Sequence, residues 1–246
     1  MARELAAPAD DIKAIFGLAE CHHDPNVAVY GLENVLFPVG TDFIEIVAPT
    51  RDGTAAGRFL DRHGGRHGYM LIMDCEDPAR RQAHCATLGA RTANLIRHEG
   101  YLGVQLHPKD TGGAMLEFNH TTGGEDPRGP YGPAGGRWQD AIRQEVVRRM
   151  LAAQIDCPDP EEFSGRWGKL LERPVRPSGD GKFRIALDSG AIEFHPADRA
   201  DAVLAGLELE VVSRDQVLRA ARARGRVDEN GEIVVCGVRI QIKEGA

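Results

Sequence analysis

The residues with the clearest chemical potential are acidic side chains set inside apolar, strand-like segments. Asp42-Phe43-Ile44-Glu45-Ile46-Val47, Ala114-Met115-Leu116-Glu117-Phe118, Ala191-Ile192-Glu193-Phe194 and Val238-Arg239-Ile240-Gln241-Ile242 each follow a glycine closely. Each carries Glu or Gln on the same register. A carboxylate amid an apolar strand is unfavourable to bury unless it is paired, hydrogen-bonded or bound to a metal. Carboxylates turned to an interior suit a hard or borderline cation. The alternative is that each Glu accepts hydrogen bonds inside the fold or pairs with an Arg.

Other polar groups are weaker candidates. His107 and Lys109 flank a turn with Pro108 at its corner. A Lys there could meet a carboxylate or phosphate, or simply remain solvated. Cys21-His22-His23-Asp24 has metal-binding residue types, but neighbours on a short loop rarely converge on one ion. No GxSxG, P-loop or GxGxxG motif occurs at a position suited to nucleophilic catalysis or nucleotide binding.

The elements that must position these residues recur along the chain. Tyr69–Met73 runs through an acidic turn into a helix ending near Leu88. Ala152–Ile155 leads into a helix ending near Leu171, and Leu207–Val212 into one ending near Arg224. Asp or Ser N-caps and Pro in the first turn mark where these helices begin. Gly89, Pro174 and Gly225 mark where they end. Each unit therefore reads as a βαβββ module. The first module is expected to have a helix over Pro8–Phe16 stopped by Gly17, then three strands between Val27 and Val47. Met1–Leu5 reads as the end of a preceding strand, so the first strand is expected to be truncated. Trp138 and Trp167 fall on apolar faces and are expected in the core.

Here the residues resemble those of a known family, the vicinal oxygen chelate (glyoxalase/bleomycin resistance/dioxygenase) superfamily. The first half is similar to methylmalonyl-CoA epimerases. His107-Pro108-Lys109-Asp110-Thr111-Gly112-Gly113-Ala114-Met115-Leu116-Glu117-Phe118 resembles their final strand pair, and Phe43–Pro49 with the helix to Leu60 and Gly64-Gly65-Arg66-His67 is a second match. The likeness covers residues 10 to 120, and past Trp138 only the module pattern persists.

The resemblance implies an α+β fold of tandem βαβββ modules forming half-open barrel domains. The expected division is a first glyoxalase-like domain over 1–121, a Gly/Pro-rich linker over 122–137, and a degenerate second domain over 138–246. It places Glu45 and Glu117 at fourth-strand metal positions and has Glu45 or Glu117 double as the catalytic base. In the second module the family ligand directly precedes the strand, where Gly68 stands, so His67 is the nearest third ligand. In the second domain, Met150 and Gly206 would stand beside Glu193 and Gln241 and supply no ligand. His107 and Lys109 are the expected substrate-binding residues. The implied cofactor is one divalent metal, among Co, Ni, Zn, Mn and Fe. Two readings stay open: a metal-dependent lyase or isomerase moving a proton next to a carbonyl of a small oxygenated metabolite, or a non-enzymatic protein that sequesters a small molecule. A homodimer is compatible with either.

Composition bounds the partners. The 246 residues are 42% hydrophobic and 27% charged, ordinary for a globular protein with a core. A net charge of -7 argues against non-specific nucleic-acid binding, which depends on cationic residues. No apolar run nears the ~20 residues that span a bilayer, and no signal-peptide pattern opens the chain. Five cysteines without CxxC spacing are expected to be reduced thiols, which together point to the cytoplasm.

Overall fold

The computed structural model describes residues 1–245. In chain order the elements are α1 (Ala6–Phe16), β1 (Leu32–Val39), β2 (Asp42–Pro49), α2 (Ala55–Arg62), β3 (Met70–Asp74), α3 (Pro78–Thr87), β4 (Thr92–His98), β5 (Tyr101–Leu106), α4 (Pro108–Thr111), β6 (Met115–Thr121), β7 (Val147–Cys157), α5 (Pro160–Leu171), β8 (Val175–Gly179), β9 (Lys182–Ala186), β10 (Ala191–Pro196), β11 (Val203–Val211), α6 (Arg214–Ala223), β12 (Ile233–Val235) and β13 (Val238–Glu244). The fold is mixed α+β, and the repeating βαβββ order is plain in β3-α3-β4-β5-β6 and β7-α5-β8-β9-β10. The strand orders are open: β1-β2, β3-β6-β5-β4, and β7-β10-β9-β8 with β11, β13 and β12 beyond β7.

The helices begin where their caps require. Asp77, Asp159 and Ser213 accept hydrogen bonds from Arg80, Glu162 and Gln216 backbone N–H groups, and Pro78 and Pro160 open α3 and α5. α1 stops at Gly17, which adopts φ 65°. The first module differs from expectation. Only two strands, β1 and β2, lie in the stretch expected to hold three, because residues Pro25–Tyr30 form a 3-10 turn. Asp24 initiates that turn by accepting from the Asn26 N–H at 2.9 Å, and Pro25 cannot donate to a ladder. Before α1, the Ala2 N–H reaches the Val47 carbonyl at 3.1 Å and the His67 N–H reaches the Met1 carbonyl at 3.1 Å.

The chain forms two compact units, each made of separated segments. One comprises Met1–Gly68, Pro130–Leu151 and the chain from Gly206 onward; the other comprises Tyr69–Gly129 and Ala152–Ala205. In the first unit, Ile12, Ile15 and Phe16 of α1 pack with Val35, Phe37 and Ile46 of β1 and β2, and with Leu209, Val217, Ala221 and Ile240. Burying each such side chain contributes ~1.5–3 kcal/mol relative to leaving it exposed. In the second unit Trp167 is fully buried, sets its ring edge-on to Phe194 at 5.7 Å and donates its indole N–H to the Thr111 carbonyl at 2.9 Å.

No helix among the described residues is long and apolar enough to cross a membrane. All five cysteines are unpaired thiols. Burial pushes the Cys21, Cys75 and Cys85 thiols up to about 11 and Cys157 to about 12, so none of these is an activated nucleophile.

Candidate functional site

The site is built on one face of the sheet β3-β6-β5-β4 in the second unit. β6 pairs in parallel with β3 and antiparallel with β5, which sets Gln105 opposite Glu117, Gly103 opposite Asn119 and Tyr101 opposite Thr121. Side chains alternate faces along a strand. Leu116 and Phe118 therefore lie on one side with Val104 and Leu106, all fully buried, while Glu117 and Asn119 lie on the other with Tyr101 and Gln105.

Glu117 is 3% exposed and meets uncharged donors. The Tyr101 hydroxyl donates to its Oε1 at 3.0 Å and Gln105 Nε2 donates to its Oε2 at 2.8 Å. Asn119 Nδ2 donates to the Tyr101 hydroxyl at 3.0 Å and lies 3.5 Å from Glu117 Oε1. Asn94 Nδ2 in turn donates to Gln105 Oε1 at 3.3 Å, which turns the Gln105 amide so that its N–H points at Glu117. Burial pushes the Glu117 carboxyl above the ordinary carboxylate value, and the bonds from Gln105, Tyr101 and Asn119 oppose that shift without cancelling it. Gly103 has a specific role. A Cβ there would lie 3.0 Å from Glu117 Oε1 and 3.3 Å from the Tyr101 ring and hydroxyl, so a side chain would press on the pair.

Glu45 lies on β2 in the first unit. Asn34 Nδ2 donates to its Oε1 at 2.7 Å, and Asn34 Oδ1 accepts from the Asp24 N–H at 2.8 Å. Register sets Leu36 of β1 opposite Glu45, and Phe43 lies two residues before it on the same face. The Gly/Pro-rich segment covers part of that face. Tyr131 stacks on Phe43 at 5.0 Å, Trp138 sits edge-on to it at 4.9 Å, and Leu36, Ala134 and Trp138 form a buried cluster. His67, also in the first unit, sets its ring edge-on to His63 at 4.9 Å and to Phe59 at 6.2 Å. Its Nδ1 lies 3.0 Å from the Gly68 carbonyl.

The expected metal trio of Glu45, Glu117 and His67 draws on both units. Glu45 and His67 belong to one unit and Glu117 to the other. Among the described residues no group of three or more His, Cys, Asp or Glu side chains is placed to hold a metal. Both Glu117 oxygens already accept from Tyr101 and Gln105, and a divalent site of this kind needs several anionic or imidazole ligands. The residues present do not fit the ion that the fold implies.

His107 and Lys109 sit at α4, on the turn before β6. His107 caps that turn, its Nδ1 accepting from the Lys109 N–H at 3.2 Å, and the Lys109 side chain is exposed. Asp110 beside them is held well below the usual carboxylate range by the Arg91 guanidinium, which bonds it at 2.8 and 2.9 Å. No hydrogen bond among the described residues joins His107 or Lys109 to the Glu117 cluster. Sequence reasoning missed Tyr101, Gln105 and Asn119. The alternation Tyr101-x-Gly103-x-Gln105, set against Glu117-x-Asn119, is the signal that could have found them, once the register of the two strands is known.

In the third and fourth modules the register corrects the expected neighbours. Gln154, not Met150, stands beside Glu193, and Glu208, not Gly206, stands beside Gln241. Each is the polar member of its pleat, fully or nearly fully buried.

No family model and no curated protein matches this chain. Solved structures do share its fold. A hypothetical protein from Staphylococcus aureus is 9% identical with a TM-score of 0.66, covering 94% of this chain and 91% of that one. A Mn(II)-bound glyoxalase from Novosphingobium aromaticivorans is 14% identical with a TM-score of 0.64, covering 99% and 79%. A mutant 4-hydroxymandelate synthase from Streptomyces coelicolor is 10% identical with a TM-score of 0.63, covering 92% and 73%. The glyoxalase and the synthase both have the vicinal oxygen chelate fold, and this chain has it too.

Proposed function

We propose that the chain binds a small oxygenated metabolite at the Glu117 face and moves a proton on the carbon next to its carbonyl. The observation that carries this reading is Glu117 itself, a carboxyl 3% exposed whose proton affinity burial has raised. A general base works best when its pKa approaches the working pH, and burial of a carboxyl is a standard way to bring it there. Tyr101 and Gln105 hold the two carboxyl oxygens in fixed directions, and both can stabilise the ionised form before it accepts a proton. The second N–H of the Asn119 amide would hydrogen-bond the oxygen on which charge develops as the proton leaves carbon. Lys109, exposed on the turn that His107 caps, is the group proposed to meet a carboxylate or phosphate elsewhere on the ligand.

No step is routed through a metal, because among the described residues no group of three or more His, Cys, Asp or Glu side chains is placed to hold one. The Mn(II) of the structurally similar glyoxalase belongs to that protein. The second reading, sequestration without chemistry, rests on the same polar face and differs in one consequence. A sequestering protein binds its ligand and leaves the ligand's C–H bonds intact.

Deuterium incorporation separates the two. The protein would be incubated in heavy water with a panel of 2-oxo acids, 2-hydroxy ketones and acyl thioesters, and exchange next to the carbonyl followed by proton NMR. Proton transfer by Glu117 predicts exchange with at least one compound class and a loss of ~100-fold or more in Glu117→Gln, the usual contribution of a positioned base. Saturable binding with no exchange above background would overturn the enzymatic reading and establish sequestration.

A further inference from the structure

A charged pocket opens in the first unit beside the turn that joins β2 to α2. Arg3, Arg51, Asp52, Gly53, Arg58 and Asp61 line it, and it encloses about 520 Å³. All six lie within Met1–Gly68, so the pocket belongs to one unit, and the Glu117 chemistry uses none of them. Its volume falls in the range of small-molecule pockets, ~300–1,000 Å³, but most of those are lined by apolar groups. A lining of guanidiniums and carboxylates selects a charged ligand.

The bonds already made define what is left over. Arg3 donates to Asp61, and Arg58 Nη1 donates to the Gly53 carbonyl at 2.8 Å. Each of these bonds occupies one of the five N–H donors of its guanidinium. The Arg3 side chain is 52% exposed and Arg58 is exposed, so further donors on both are within reach of a ligand. Arg51 forms no hydrogen bond or ion pair among the described residues. Packing places it instead. A Cβ on Gly31 would fall 2.5 Å from Arg51 Nε and 3.0 Å from its Cγ, so the Arg51 side chain lies across that glycine. Gly31 has φ 71°, and its carbonyl accepts from the Thr50 N–H at 2.9 Å, which ties the turn to it. One guanidinium is thus held in position without being neutralised. Asp52 is exposed and adds the second carboxylate.

We infer that this pocket binds the phosphate group of a phosphorylated small molecule. Three guanidiniums stand against two carboxylates, and Asp61 already has its partner in Arg3. The whole chain carries a net charge of -7, so its overall field repels anions and the attraction here is local. A carboxylate presents two oxygens in one plane, which a single guanidinium fork satisfies. A phosphate monoester presents three acceptor oxygens in different directions, which suits guanidiniums arriving from three separate stretches of chain. The volume beyond the phosphate accommodates the group that carries it.

Inorganic phosphate and glucose 6-phosphate are the probes, followed by calorimetry and by the Gly53 amide signal in NMR. Both bind saturably to the wild-type protein and shift that signal, and acetate binds more than tenfold more weakly. Arg51→Met weakens phosphate about tenfold, the equivalent of ~1.4 kcal/mol for a lost charge-assisted contact. Arg51 has no bond to lose, so this variant keeps its fold. Arg97→Met removes an exposed arginine of β4 in the other unit and leaves the affinity unchanged. Asp52→Asn tightens binding by removing the repelling carboxylate. Glu117→Gln titrates as wild type, so this site stands or falls apart from the Glu117 chemistry. No saturation in the wild type, or equal weakening in Arg51→Met and Arg97→Met, would overturn the site. Acetate binding as tightly as phosphate would overturn its assignment to phosphate. Capture by vesicles containing phosphatidic acid, with no binding of glucose 6-phosphate, would assign the phosphate to a lipid headgroup and overturn the soluble ligand.

Discussion

Replacing Tyr101 with Phe removes one hydroxyl and leaves the ring in place, which isolates what that hydroxyl does for Glu117. The hydroxyl donates to Glu117 Oε1 at 3.0 Å in a site where the carboxyl is 3% exposed. A hydrogen bond to a charged group contributes ~1.5–3 kcal/mol, and more of this is lost from the ionised form than from the neutral one. Asn119 Nδ2, at 3.5 Å from the same oxygen, can close in and recover part of the loss, so the low end applies. A loss of ~1.4 kcal/mol disfavours ionisation about tenfold. The protonation midpoint of Glu117, already raised by burial, therefore moves further up in Tyr101→Phe. Stability follows the same linkage. The folded carboxyl binds its proton more tightly than the unfolded one, so this stabilisation is present below the unfolded carboxyl range of ~4.3 and is lost as pH rises through the folded midpoint. Tyr101→Phe should match the wild type closely near pH 4 and fall ~1.4 kcal/mol behind once the group is ionised. Carbon-13 NMR of labelled Glu side chains reads the midpoint, and urea unfolding at several pH values reads the stability. An unmoved or lowered midpoint, or a stability gap that does not widen with pH, refutes the reasoning.

Three further outcomes follow from the geometry. Trp138→Ala should destabilise by ~3–5 kcal/mol in urea unfolding, since Trp138 is 1% exposed and packs on Phe43; a change under ~1 kcal/mol would mean the Gly/Pro-rich segment is not held there. Gly103→Ala places a methyl 3.0 Å from Glu117 Oε1, so deuterium exchange at the site should fall sharply with a stability loss of ~1–3 kcal/mol. Wild-type exchange in that variant contradicts the tight approach of strand and carboxyl. Glu193→Gln should flatten the acid limb of unfolding, because the Glu193 carboxyl, held at about 2 by hydrogen bonds from His195 and Arg184, stabilises the fold above the ordinary carboxylate range and loses this as pH falls toward 2. An unchanged acid limb in circular dichroism would show that His195 and Arg184 do not stabilise the ionised form.

Local physics made much of the fold legible. Asp77-Pro78, Asp159-Pro160 and Ser213 name the starts of α3, α5 and α6, and Gly17 names the end of α1, because caps act within a few residues of the chain. Glu117, Glu193 and Glu45 stand out as carboxyls in apolar strands; all three accept hydrogen bonds, and of the three Glu117 is the deeply buried one. What stayed hidden depends on register between strands far apart in sequence. Tyr101 and Gln105 meet Glu117 only because β5 pairs with β6 in one of several possible alignments, and a shift of one residue would turn all three away. The same holds for Gln154 beside Glu193, where local reasoning had placed Met150. Val27 and Val29 favour extended backbone by residue type, yet Pro25–Tyr30 form a turn because Asp24 and Pro25 decide otherwise. The docking of Tyr131 and Trp138 onto Phe43 left no local mark in a segment whose glycines and prolines read as a plain linker.

The central claim is that Glu117 transfers a proton with uncharged helpers and without a divalent ion. The most direct test is deuterium exchange by protein dialysed against a chelator, before and after adding back Mn, Co, Ni, Zn or Fe. The account predicts the same exchange rate in the stripped protein, no gain from any ion, and loss only in Glu117→Gln. Exchange that vanishes on stripping and returns with one of these ions would contradict it, and would show that Glu117 serves as a metal ligand in a site completed by residues the hydrogen-bond network does not reveal.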